Sequence, residues 1–371
     1  MSESICLPKY PAEEDIWKKI SKINVPILVY GMGNGADKLI AQLSRVNREV
    51  ADFFASDGFV RGHSFHGKRV LSFSEAREKH ESFVILVSFA TRIPEVMKMI
   101  SDMGKDYELY GPDMPVVDEQ YFTSEFYNAH YSEIKKAYDA LSDELSKNLF
   151  AAIVNYKLTA EVKYLESFTS SNDEMYSLLN CEEIECAVDA GAYNGDTAKE
   201  MISYFPRLKE LYAFEPDPKN CKKLKKLAQE LDFCNLTIFE SALWREDGEA
   251  SFSSSNNRNS SLSNASFESQ SVKVCLSALD NKIDRKPDYI KYDVEGAEME
   301  ALKGSMKTII SERPSLLVSA YHKSEDVFSL LNYLQDSLDG YSFFLRRKAC
   351  FPAWEINLYA IPDEKNKNKY N

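Results

Sequence analysis

Short apolar runs alternate with longer amphipathic ones in two stretches of the chain. Pro26-Ile27-Leu28-Val29-Tyr30 reads as a strand and runs into Gly31-Met32-Gly33-Asn34-Gly35. A helical pattern follows from Ala36 to Val46, with Leu39, Ile40 and Leu43 on one face. The runs Val50–Phe54, Lys68–Leu71 and Phe83–Ser88 continue the series, and the last precedes a helix carrying Val96, Met97 and Ile100. Strands alternating with helices imply a parallel sheet covered on both faces. Residues 121–180 change period. Phe126, Tyr127, His130, Ile134, Tyr138 and Leu141 open a series at helical spacing that continues through Leu145, Leu149 and Ile153, which predicts a helical connector.

Residues 183–362 return to the strand–helix alternation. Strands are predicted at Cys186–Asp189, Leu211–Phe214, Leu236–Phe239, Tyr289–Tyr292, Ser315–Ser319, Phe343–Leu345 and Asn357–Ile361. One polar segment, Ser251 to Gln270, interrupts them. Its Ser and Asn side chains compete for backbone hydrogen bonds and disfavour regular structure. It reads equally as a loop at the mouth of a site or as a plain surface excursion. The expected fold class is α/β. A smaller N-terminal Rossmann-like domain (1–120) and a helical connector (121–180) precede a C-terminal Rossmann-like domain (181–371) with a seven-stranded, mostly parallel sheet.

Composition narrows the function. The 371 residues are enough for two domains, and 44% hydrophobic with 28% charged residues is an ordinary globular balance. Lys+Arg is 45 against Asp+Glu 58, a formal net charge of -13. The main basic run, Lys222, Lys223, Lys225 and Lys226, lies among Leu224 and Leu227 and reads as a solvated helix face, so no nucleic-acid partner is expected. The seven cysteines form no C-x-x-C pair, which favours reduced thiols over disulfides or zinc. No secretory signal and no membrane-length apolar run are evident, so a cytoplasmic protein without membrane insertion is expected.

The chemistry concentrates in three strand ends. Ala187-Val188-Asp189-Ala190-Gly191-Ala192-Tyr193-Asn194-Gly195-Asp196-Thr197 takes an apolar strand through a glycine-rich turn into a helix. Glycines let backbone approach a ligand closely, and doubly wound sheets bind ligands at this end of the first strand. The spacing is D-x-G-x-x-x-G, which suits a ligand without a pyrophosphate. Leu211-Tyr212-Ala213-Phe214-Glu215-Pro216 places an acid 20 residues after Gly195, where a carboxylate can accept from both ribose hydroxyls. Together the two elements point to a nucleoside-type cofactor, and the spacing suits one such as S-adenosylmethionine (SAM). In Asp288-Tyr289-Ile290-Lys291-Tyr292-Asp293-Val294-Glu295-Gly296-Ala297-Glu298, Lys291, Asp293 and Glu295 crowd a third strand end. Such charge at a buried strand end needs a reason, and Lys291 and Glu295 are candidate substrate-binding residues. Glu298 and Glu300 read as structural or solvated.

At these residues the chain resembles the FkbM family of SAM-dependent methyltransferases. The matching pieces are DAGAYNGDT, YAFEPDP, ESALW and YIKYDVEGAEMEALKG, within about residues 180–362. The resemblance implies a class I methyltransferase domain and a SAM-dependent enzyme, with methylation of a hydroxyl on a saccharide or other small-molecule acceptor. It implies that Asp189, Gly191 and Gly195, with Tyr193, Asp196 and Thr197 in the same loop, shape the methionine side of the cofactor pocket. Glu215 would hold the ribose, and Ser241, Ala242 and Leu243 would lie by the adenine. Tyr193 stands where many relatives have a small polar residue or Asn.

SAM is already a strong methyl donor, so alignment of acceptor oxygen, methyl carbon and sulfur supplies much of the rate. A hydroxyl acceptor also needs its proton removed. Asp293 is a candidate general base. So is His322, which follows the apolar run Leu316 to Tyr321. Asp293, Glu295 and His322 are compatible metal ligands, but no spacing enforces a site and none is predicted.

The N-terminal domain has its own signal. Gly31-x-Gly33-x-x-Ala36 follows a strand and opens a helix, and Asp52 comes 19 residues after Gly33, the form of a dinucleotide fingerprint. The stretch from Phe59 through Gly62 to Leu71 is similar to N-terminal Rossmann-type domains of sugar-modifying enzymes. A nucleotide or nucleotide-sugar ligand and a turn kept for packing alone are both open readings. His63 and His66 form H-x-x-H in a loop with no third ligand, so no metal is expected there. Two rival functions follow: an NAD(P)- or nucleotide-sugar-dependent enzyme working through this domain, and a non-catalytic binding module.

Overall fold

The computed structural model describes residues 4–60, 62–117, 119–231, 234–253 and 271–366. Its first sheet is built from runs too apolar to have a solvent side. Strand β1 (Ile27–Tyr30) is buried at every position. It lies between β2 (Val50–Ala55) and β4 (Val84–Val87), with β3 (Leu71–Ser72) and β5 (Glu108–Tyr110) at the edges. The order is β3-β2-β1-β4-β5 and every pair is parallel. This is the order of a doubly wound sheet, reversing direction beside β1.

Three helices follow this sheet: Ser124–Ala129, Tyr131–Ala140 and Glu144–Thr159. From Leu149 to Leu158 the last is buried at every position but Asn155, because that part is enclosed by other elements. It begins at Asp143, whose carboxylate accepts from the Ser146 amide at 2.8 Å and pairs with Arg346 Nη2 at 2.6 Å. Arg346 belongs to the second sheet, so one buried ion pair fixes the connector to the C-terminal domain.

The second sheet has seven strands. In chain order they are β6 (Cys186–Ala190), β7 (Glu210–Phe214), β8 (Asn235–Phe239), β9 (Tyr289–Tyr292), β10 (Ser315–Ser319), β11 (Tyr341–Arg347) and β12 (Ile356–Pro362). The spatial order is β8-β7-β6-β9-β10-β12-β11. β12 runs antiparallel to both neighbours, and the other pairs are parallel. Chain direction reverses between β6 and β9, so their C-terminal ends open a crevice. β6, β9 and β12 are buried throughout.

The boundaries depart from the sequence reading in places. The run Lys68–Leu71 is two pieces: Lys68–Arg69 pairs with Ser64–Phe65 as a hairpin, and Leu71 starts β3. β5 was not anticipated, being only three residues long. The polar interruption is also shorter than its composition implied. Gly248–Ser253 is a strand pairing antiparallel with Ser271–Ser277, which also pairs with Ala242–Leu243. Main-chain pairing overrides the low strand propensity of Ser there. The remainder of that segment, 254–270, lies outside the described residues, as does Arg61. Among the described residues no helix is long and apolar enough to cross a membrane.

Candidate active site

β6 ends at Ala190 and the chain turns sharply through Gly191, at φ 81°, and Tyr193, at φ 45°. The amides of Gly191 and Ala192 both donate to the Phe214 carbonyl, which ties the loop to β7. Gly195, at φ 87°, caps the helix Asp196–Tyr204 in the left-handed conformation, which suits glycine. The Asp196 amide donates to Asn194 Oδ1 at 3.1 Å, and the Asp196 carboxylate accepts from the Thr197 amide at 2.9 Å. The loop is thus fixed by its own backbone, with the first helical amides and the exposed Tyr193 ring at its rim. Lys223 lies over that ring, 5.6 Å from its centre.

Glu215 follows β7 and is buried. Its Oε2 accepts from the Tyr193 amide and its Oε1 from the Asp217 amide, each at 2.8 Å. Burial pushes its pKa up, against the opposing pull of those amides. A carboxylate oxygen has two lone pairs, so each oxygen keeps capacity for a hydroxyl donor. Asp189 is fully buried. Its Oδ1 accepts from Lys291 Nζ at 3.0 Å, and its Oδ2 has no partner. The Lys291 ammonium also reaches the Gly191 carbonyl at 3.4 Å and lies 3.8 Å from Asp293. It therefore holds the glycine loop to β9, rather than standing free toward an acceptor.

Of the adenine-side residues, Ser241 is buried and accepts from Ser277 Oγ at 2.9 Å. Ala242 is half-buried and Leu243 is core. Trp244 is half-buried.

A second cluster sits at the ends of β9 and β10. Asp293 Oδ1 accepts from the Tyr321 hydroxyl at 3.4 Å and lies 3.6 Å from His322 Nε2. Glu295, at φ 52°, brings Oε2 to 3.6 Å from the same nitrogen. The imidazole's other nitrogen, Nδ1, is 2.9 Å from Glu298 Oε1 but is not aligned for a hydrogen bond. Glu298 is neither solvated nor remote from the chemistry. It is 1% exposed, and its Oε1 accepts from the Val294 amide at 2.9 Å. The sequence reading missed it because acids just inside a helix N-terminus are usually on the surface. The signal was the third acid of D-x-E-x-x-E. Burial would lower the His322 pKa, but the carboxylates of Glu298, Asp293 and Glu295 outweigh it and push it up to about 10. Asp293 is held below its ordinary value. Burial opposes this, while Lys291 and His322 favour the anion.

The N-terminal domain walls this crevice. A β-carbon on Gly296 would meet the Val117 side chain at 2.8 Å, and Ser324 Oγ donates to the Gln120 carbonyl at 2.6 Å. Thr91 bridges to Phe351, and Arg92 pairs with Glu355. By contrast, the dinucleotide reading of Asp52 does not hold. Asp52 lies in the middle of β2, not at its end, and its carboxylate binds Lys79 at 3.0 Å and His80 at 2.6 Å. Gly35 has a packing role, since a β-carbon there would come within 1.9 Å of the Ser88 carbonyl oxygen. His66 pairs with Asp37 at 2.7 Å on the surface.

The second sheet is doubly wound, with a glycine loop, a strand-end acid and a charged neighbouring strand end at its switch point. Residues 189–343 match the model of the methyltransferase FkbM domain. The solved structure of methyltransferase FkbM from Methylobacillus flagellatus KT resembles the chain with a TM-score of 0.69 at 19% identity, over 96% of this chain and 94% of that one. The likeness thus extends to the N-terminal domain's fold. An rRNA methylase from Streptococcus thermophilus matches 52% of this chain and 97% of its own, at 12% identity and a TM-score of 0.34, which carries no functional weight. No curated protein matches the chain.

Proposed function

We propose that the chain transfers a methyl group from SAM to a hydroxyl oxygen of a saccharide or glycoconjugate. The observation that carries this reading is Glu215. Two backbone amides fix its carboxylate beside the glycine loop, where it can accept from the two hydroxyls of a ribose. SAM supplies an activated methyl carbon on sulfur. Asp189, Gly191 and the first amides of the helix Asp196–Tyr204 would border its amino-acid end, and Ser241 and Ala242 its base.

The acceptor would enter over Asp293, whose carboxylate is 32% exposed while His322 behind it is 1% exposed. Bound SAM would supply the methyl carbon and leave as the demethylated sulfide, and the Asp293 carboxylate would take the hydroxyl proton as the acceptor oxygen is methylated. His322 is already a cation beside three acids and does not take that proton. In the chain without ligands it acts as a positioning residue for Asp293. The Val117–Gln120 side of the N-terminal domain would bound the acceptor entrance. The saccharide assignment rests on the family resemblance. A cytoplasmic location is proposed with it, since the seven cysteines form no disulfide. A non-catalytic binding module is disfavoured by Asp293, a carboxylate kept anionic by Lys291 and His322 yet still partly exposed to the crevice.

The test is product analysis after incubation with methyl-labelled SAM and a panel of sugars, glycoconjugates, proteins and small hydroxyl compounds. Label on saccharide oxygen supports the reading. Transfer only to protein or to nitrogen would contradict it.

A further inference from the structure

Three carboxyl groups crowd His322. Asp293, Glu295 and Glu298 all approach one imidazole. Lys291, the nearby ammonium, is already held by Asp189. Both His322 and Glu298 are 1% exposed, and each carries an orphan: His322 Nδ1 and Glu298 Oε2 have no hydrogen-bond partner. Orphaned buried polar atoms are costly unless something satisfies them. One nitrogen of His322 and one oxygen from each of Asp293 and Glu298 lie within 4.8 Å of one another, close enough to converge on a single ion.

We infer that Asp293, Glu298 and His322 form a binding site for a divalent cation at the acceptor side of the crevice. One imidazole and two carboxylates make a mixed nitrogen–oxygen donor set of the kind Mn2+ or Zn2+ accepts. A dication would take over from the imidazolium proton as partner of the acids, and would give the orphaned Glu298 oxygen a ligand role. Two backbone amides, those of Val294 and Gly296, already orient Glu298 through its other oxygen, at 2.9 and 3.4 Å. Ligands held in this way are preorganised. The half-exposed Asp293 and Glu295 carboxylates leave the outward coordination positions to water or to an acceptor oxygen. A hydroxyl bound there would lose its proton more readily. This assignment rests on the reading of that crevice as the acceptor side, but the site itself is defined by geometry independent of SAM.

The experiment is titration of the untagged full chain, without SAM, with Mn2+. Binding is followed by electron paramagnetic resonance, and the 14N couplings of bound imidazole are recorded by electron spin echo methods. The expected result is one tight Mn2+ per chain with one imidazole coupled. The coupling should vanish in His322→Gln, and affinity should fall by at least about tenfold in Glu298→Gln and Asp293→Asn. Circular dichroism identifies any variant that fails to fold, and the wild-type imidazole coupling stands without the variants. Absence of stoichiometric Mn2+, or binding untouched by folded variants, overturns the site. A parallel titration of SAM separates the two proposals, since SAM binding without Mn2+ would leave only the methyltransferase reading standing.

Discussion

Gly191 packs so closely on Asp293 that a β-carbon at position 191 would lie 1.8 Å from the Asp293 carbonyl oxygen. The glycine loop after β6 and the acid at the end of β9 are therefore in direct backbone contact across the switch point. Lys291 reinforces the junction by bonding Asp189 and approaching Asp293. Any change at Gly191 should be felt on both sides of the reaction.

Gly191→Ala is expected to lose cofactor affinity and to displace Asp293. Left-handed strain alone costs about 1–2 kcal/mol of stability, and relief of it and of the clash with the Asp293 carbonyl would move the loop away from its ligand-binding position. Calorimetric SAM titration of the folded variant checks this. Unchanged affinity would mean that the loop does not contact the ligand.

Asp293→Asn should leave SAM affinity within a few-fold of wild type and cut kcat by about 10²–10⁴-fold, the usual range for loss of a general base. Steady-state kinetics on the acceptor found by product analysis would separate the two parameters. A kcat that survives would remove Asp293 from the proton transfer.

Cofactor affinity should depend on pH through Glu215. Burial raises its pKa, and ribose hydroxyls donate more strongly to the anion, both of whose oxygens accept, than to the neutral acid. Affinity is then full above that raised pKa and falls as the pH drops through it. Glu215→Gln should bind weakly and show a flat profile over the same range. A wild-type profile equally flat would contradict the role.

Asp143→Ala should destabilise the chain by about 3–5 kcal/mol, the cost of leaving a buried charge, here Arg346, without its partner. Burial pushes the Asp143 carboxyl up, but Arg346 and Ser146 outweigh this and hold its pKa below the ordinary value. Its contribution is thus fully present above the unfolded-state pKa and is lost as the pH falls through the lower folded value. Urea unfolding of wild type and variant at neutral and acidic pH should therefore converge at low pH.

How much of this was legible in the sequence differs by element. The strand-end positions of the glycine loop and Glu215 were legible because a doubly wound sheet places such turns and acids at fixed spacing. Asp52 passed the same spacing test but failed as a ligand, because β2 runs three residues beyond it to Ala55. The Glu298–His322 contact was not legible. A helix pair and β10 separate the two residues, and only the fold brings them together. The strand Gly248–Ser253 was hidden by its serines, since partner strands rather than propensity decide pairing there. The walls that Val117 and Gln120 build against Gly296 and Ser324 join segments nearly half the chain apart, which no local pattern encodes.

The most direct test of the central claim is calorimetric titration of SAM and of its demethylated product into wild type and Glu215→Ala. Two hydrogen bonds to a charged acceptor contribute about 1.5–3 kcal/mol each, so the variant should bind at least about 100-fold more weakly. That result would place the cofactor at the glycine loop and Glu215. A folded wild type that binds neither compound would contradict the account.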